Sequence, residues 1–95
     1  MHIITRKRIQ EFVQLYPDSE SSLDNRYRIV KKAEFDSFAE LRRYFPSADY
    51  VDGLIVFNIG GNKYRLIAAI HFNRKKVYIR DILTHSEYDR NRWKK

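Results

Sequence analysis

The chain of 95 residues is 43% hydrophobic and 33% charged, with three glycines, two prolines and no cysteine. That length leaves room for one core and one site, the composition is that of a globular chain, and the lack of cysteine excludes disulfides, thiolate catalysis and thiolate-bound metals. No apolar run approaches the ~20 residues of a membrane span and no signal-peptide pattern opens the sequence, so a cytoplasmic protein without membrane contact is expected. The formal net charge is +7. Residues 1–48 hold nine Lys/Arg against seven Asp/Glu, and residues 49–95 hold ten against five. The excess therefore lies in the second half and favours an anionic partner there.

In chain order, His2-Ile3-Ile4 reads as a brief edge strand. Thr5 can cap a helix whose apolar residues Ile9, Phe12, Val13 and Tyr16 make one buried stripe, and Pro17 stops it. Asp18 or Ser19 can cap a second helix with Leu23, Tyr27 and Val30 facing inward. Ser37 and Glu40 match a capping box ahead of a short third helix ended by Pro46. Asp52-Gly53 marks a turn, after which the pattern changes to period two. Strands are predicted over 54–59, 62–72 and 76–84, with Gly60-Gly61 as a tight hairpin, and 86–93 forms a last helical turn. The expectation is a single α+β domain over 1–95, with N-terminal helices packed on a small antiparallel sheet.

With Gly60 and Gly61 as loop residues, Ile59 faces Asn62, Phe57 faces Tyr64 and Ile55 faces Leu66 on an apolar face. With Arg74 and Lys75 as the second loop, Phe72 faces Val77, Ile70 faces Ile79 and Leu66 faces Leu83. The opposite face then receives Lys63, Arg65, His71, Tyr78 and Arg80, with Ala69 opposite Arg80 and Thr84 opposite Arg65. Small residues beside long cations leave a groove. This register sets Asp81 on the apolar face, which a bulge or a sheet edge would explain.

The groove side carries usable chemistry. Arg65 and Arg80 can clamp a phosphate, because guanidinium is permanently charged and bonds phosphate oxygens in pairs; salt bridges to Asp81 or Glu87 are the plainer reading. Lys63 can bind phosphate or act as a base, although hairpin lysines are commonly solvated. Gly60-Gly61 lacks the spacing of a Walker loop. His85, at a strand end, can protonate a leaving group, and Tyr88, three residues on, can orient or deprotonate a hydroxyl or stack on a base. A lone histidine more often hydrogen-bonds structurally. His2 and His71 are too scattered for metal-ligand spacing, so neither metal nor cofactor is expected.

Val56 to Leu66 (VFNIGGNKYRL) and Val77 to Asp89 (VYIRDILTHSEYD), with the opening MHIITRK and the segment Phe45-Pro-Ser-Ala-Asp49, closely resemble the HigB toxins of type II toxin–antitoxin systems. These belong to the RelE-like superfamily of small α+β proteins. The resemblance implies an mRNA interferase, an endoribonuclease that in many members cuts messenger RNA in the ribosomal A site. The substrate's 2′-hydroxyl attacks the adjacent phosphate without metal. The positions matching the superfamily's catalytic residues are Arg65, Arg80, His85 and Tyr88, and Lys63, Arg74, Lys75, Lys76 and Arg90 are the expected RNA-binding cations. The general base is not identified by the likeness. The implied partner is a HigA-like helix-turn-helix antitoxin, through which alone the pair would reach operator DNA. A non-catalytic RNA- or DNA-binding module, or a ParE-like toxin that inhibits DNA gyrase, remain the alternatives.

Overall fold

The computed structural model describes residues 1–4, 6–61 and 63–90. A five-stranded sheet carries helices over one face. In chain order the elements are β1 (His2–Ile4), α1 (Arg6–Leu15), a 3-10 turn (Pro17–Ser19), α2 (Glu20–Lys32), α3 (Phe38–Tyr44), β2 (Asp49–Val51), β3 (Leu54–Ile59), β4 (Tyr64–His71), a second 3-10 turn (Phe72–Arg74), β5 (Lys76–Thr84) and α4 (His85–Asp89). The strand order is β1-β5-β4-β3-β2. The expected α+β architecture is observed, with two differences: β1 joins the edge parallel to β5, so the sheet is mixed, and an unexpected strand, β2, pairs with β3 at the other edge. Among the described residues, no helix is long and apolar enough to cross a membrane.

The helices form where their apolar stripes meet the sheet. Phe12 of α1 and Leu23 and Val30 of α2 are buried, with Ile9, Val13 and Tyr16 packed against the same core. Pro17 ends α1 by opening the 3-10 turn, since proline disfavours a helical residue before it. Thr5, the expected cap of α1, lies outside the described residues. Ser19 holds the N-cap position of α2 but makes no side-chain cap; its hydroxyl donates to the Tyr16 carbonyl at 2.6 Å. Asp18 accepts instead from the Tyr64 phenol at 2.7 Å. That bond pushes the phenol up to about 12 and holds the Asp18 carboxyl below its usual value. Ser37 Oγ caps α3 through Glu40 N, while the Glu40 carboxylate accepts from Asp36 N, one residue outside the expected reciprocal pair.

On the helix side, Leu23, Leu41, Ile55 and Ile59 are essentially inaccessible, and each such side chain contributes about 1.5–3 kcal/mol through burial. Ile59 faces Tyr64, Phe57 faces Leu66 and Ile55 faces Ala68. The β3–β4 loop is therefore longer than the expected glycine pair, running from Gly60 to Lys63, with Asn62 outside the described residues. Gly60 and Gly61 both have positive φ, 60° and 69°, a region where only glycine escapes a Cβ clash. The register moves by two residues, and because side chains alternate with period two the faces stay as expected.

The β4–β5 connection also differs. It uses Phe72–Arg74 and Lys75, whose φ is 57°, so that His71 faces Lys76 and Ile70 faces Val77. A bulge then intervenes: Ala68 faces Ile79 but Ile67 faces Asp81, leaving Arg80 as the extra residue. The bulge resolves the Asp81 conflict by switching the alternation of β5. Beyond it Ile82, not Leu83, faces Leu66, and Leu83, not Thr84, faces Arg65. Ala69 faces Tyr78 rather than Arg80.

Candidate functional site

Alternation places Val56, Asn58, Arg65, Ile67, Ala69 and His71 on the sheet face opposite the helices. Val56 and Ile67 are buried yet stand outside the helix-side core cluster, so this face has a small apolar floor of its own. Arg65 rises from it between Asn58 and Leu83. It is only 8% exposed, its Nη1 donates to the Tyr64 carbonyl at 3.1 Å, and its guanidinium lies 5.4 Å from the centre of the Tyr88 ring. A cation over an aromatic face is attracted by the ring quadrupole, and the ring shields it from water.

Tyr88 reaches this place because α4 folds back at the end of β5. Thr84 Oγ1 accepts from Glu87 N and the Glu87 carboxylate accepts from Thr84 N, a complete capping box. The His85 amide donates to the Lys63 carbonyl at 2.9 Å, fastening α4 beside the start of β4. The imidazole Nδ1 of His85 sits 3.2 Å from an Asp89 carboxylate oxygen, with both side chains about half exposed. That contact orients the ring through Nδ1 and directs Nε2 away from α4. Thr84→Ala is expected to cost about 1 kcal/mol and to unlatch this five-residue helix, read as faster amide exchange over 85–89 and lower activity with an unchanged core.

The Tyr88 phenol is pushed above its usual value, first by burial and then by the negative charges of Asp49 and Asp89, against the opposing pull of Arg65. A phenol held protonated is a hydrogen-bond donor at neutral pH and a poor base. Asp49 arrives on β2, opposite Val56, and so faces the same side as Arg65. Sequence pattern missed it, because a three-residue strand with an acidic end carries no periodicity; only its pairing with β3 reveals it. The capping box Thr84-His-Ser-Glu87 was a readable signal for α4 that pattern reading passed over.

The predicted residues divide by position. Arg65 and Tyr88 are brought together, and His85 opens the short helix that carries Tyr88, its imidazole against Asp89. Arg80 stands exposed at the bulge, three residues from Leu83 and hence about 10 Å along the strand from the Arg65 row. Lys63 turns to the helix side, where its ammonium meets Asp18 at 3.5 Å. Lys75 likewise faces away, bonded to the Phe35 carbonyl and the Asp36 carboxylate. Arg74 is exposed in the β4–β5 turn and Lys76 begins β5 beside His71. Arg90 caps the C-terminus of α4, its amide bonded to the Glu87 and Tyr88 carbonyls.

A protein-family model described as HigB_toxin, the RelE-like toxic component of a toxin–antitoxin system, matches residues 19–91. The chain is 38% identical over 92 residues to the Escherichia coli K12 protein named mRNA interferase toxin HigB, covering 94% of this chain and 88% of the relative. A Shigella flexneri protein named mRNA interferase HigB matches to the same extent. One of the same name from Escherichia coli O6:H1 is 36% identical over 93 residues, covering 95% and 90%.

Proposed function

Because the chain belongs to the HigB family, the RelE-like toxic component of a toxin–antitoxin system, we propose that it is an mRNA interferase, cutting messenger RNA by attack of the substrate's own 2′-hydroxyl. The observation that carries this reading is the guanidinium of Arg65 held under Tyr88, with His85 tied to the neighbouring backbone. An arginine with little water around it supports the extra negative charge of a pentavalent phosphorane better than a solvated one. Relatives named mRNA interferase support the cutting of messenger RNA.

In this mechanism the 2′-oxygen bonds to phosphorus as the bond from phosphorus to the 5′-oxygen breaks. The 2′-hydroxyl proton passes to a base, and His85 gives a proton to the departing 5′-oxygen. The products are a 2′,3′-cyclic phosphate and a 5′-hydroxyl. Tyr88, held protonated, orients a phosphate or 2′-oxygen by donation. In this reading Asp49, whose charge acts on Tyr88, takes that proton, a role for which Tyr88 is unsuited. Arg80 holds a neighbouring phosphate, and Lys76, Arg74 and Arg90 add charge around the groove.

The ribosomal A site supplies the RNA in this reading, the cytoplasm is the place of action, and a HigA-like helix-turn-helix antitoxin neutralises the toxin and links it to operator DNA. Induction in growing bacteria, with new RNA 5′ ends mapped, tests it. New 5′-hydroxyl ends within translated messages are expected. DNA-damage signalling without such ends would replace the reading with gyrase inhibition, and salt-sensitive RNA binding without cleavage would reduce it to a binding module.

A further inference from the structure

The site face continues past the bulge, away from α4. There Ala69 faces Tyr78, and Lys76 has His71 on one side and His2 on the other. The rings of His71 and Tyr78 meet edge to face, their centroids 5.2 Å apart. Neither ring belongs to the helix-side core or to the side chains packed against it. His71 and Arg80 are exposed, and Tyr78 and Lys76 are half-buried. Ala69, across from Tyr78 on the β4 side, is too small to cover its ring, and Ile4 flanks it on the β1 side.

Around the rings the charge is positive: residues 2–4, 68–71 and 76–80 include Lys76 and Arg80 and no Asp or Glu, and Asp81 stands across from Ile67, toward the Arg65 row. A polypeptide partner matched to this aromatic pair would need apolar side chains. A single-stranded nucleic acid instead brings flat bases and an anionic backbone together, which is what an aromatic ring between two cations receives. Ala69 lies four residues from Arg65 along β4, about 13 Å, so the ring pair is beyond the nucleotides flanking a phosphate at Arg65.

We propose that the Tyr78 ring, with His71 edge-on beside it, is a stacking face for one base of single-stranded RNA, a second subsite separated from the cleavage cluster by Arg80. Arg80 tracks the intervening backbone, and Lys76 meets the phosphate on the far side of the stacked base. The platform adds affinity through a base face, so it tolerates any base and lengthens the preferred substrate. The inference rests on reading the Arg65 cluster as an RNA site, but binding tests it without cleavage.

The experiment measures anisotropy of labelled, uncleavable 2′-fluoro RNA of increasing length on the folded protein. Affinity of the wild-type chain is expected to step up once the strand reaches the platform. Tyr78→Ala should lose that step, about tenfold, while short strands bind as before and Tyr78→Phe keeps the step. His71→Ala should lose part of it, which holds the test open if Tyr78→Ala melts early. Arg65→Ala should lose cleavage yet retain the length step. The platform is overturned if Tyr78→Ala and His71→Ala follow the wild type at every length. It is equally overturned if they weaken antitoxin binding and leave RNA unchanged. Loss of cleavage in Arg65→Ala without any length step would keep the cleavage reading and reject the platform alone.

Discussion

Arg65→Ala is expected to lower cleavage by about 10²–10³-fold, the usual cost of removing one preorganised group that stabilises transition-state charge. The buried setting of Arg65, its bond to the Tyr64 carbonyl and its position under Tyr88 hold its guanidinium in one place. Arg65→Lys should restore little, since a point charge on a flexible stem lacks the planar fork that bonds two phosphate oxygens. Arg65→Met keeps the buried stem and separates lost packing from lost charge. Single-turnover cleavage of translated message, beside thermal melting, reads both. A folded Arg65→Met protein that cuts at the wild-type rate would remove Arg65 from the mechanism. Arg80→Ala, displaced along the strand by the bulge, should show a smaller loss and a larger effect on RNA affinity.

His85→Ala and Asp49→Asn are each expected to slow cleavage by about 100-fold, the ordinary size of a general acid or base contribution, and to differ in what rescues them. A 5′-bridging sulfur is a good leaving group that needs no proton. On an RNA carrying that substitution His85→Ala should recover most of its rate, whereas Asp49→Asn should stay slow because the 2′-hydroxyl still has to be deprotonated. Recovery of both variants, or of neither, would overturn the assignment of acid to His85 and base to Asp49. A second readout concerns Tyr88 alone. Without the Asp49 charge its phenol should titrate at lower pH, since one of the causes that raise it is gone. Ultraviolet difference titration against Tyr88→Phe detects that shift whether or not cleavage is affected.

The period-3.6 stripes of α1 and α2, the stop at Pro17 and the glycine turn at Gly60-Gly61 are all local signals, and the helices and hairpins follow them. The faces of β3 and β4 were legible even though the register was not. Alternation assigns a side regardless of which residue lies opposite, so a two-residue slip left Arg65 on the groove face. The likeness of residues 56–66 and 77–89 to HigB toxins pointed to the family that the whole-chain comparison supports.

What the sequence by itself determined is therefore the main helices and strands, the face that carries Arg65, and the family. Tertiary structure alone decided which residues meet on that face. The bulge at Arg80 moved Asp81 off the core and put Leu83 across from Arg65, leaving Arg80 three residues along the strand from that row. The short pairing of β2 with β3 delivered Asp49, and the latch from His85 to Lys63 set Tyr88 over Arg65. Helix stripes and strand alternation are written in neighbouring residues, whereas bulges, edge pairing and a helix folded onto a distant strand depend on contacts between segments far apart in the chain.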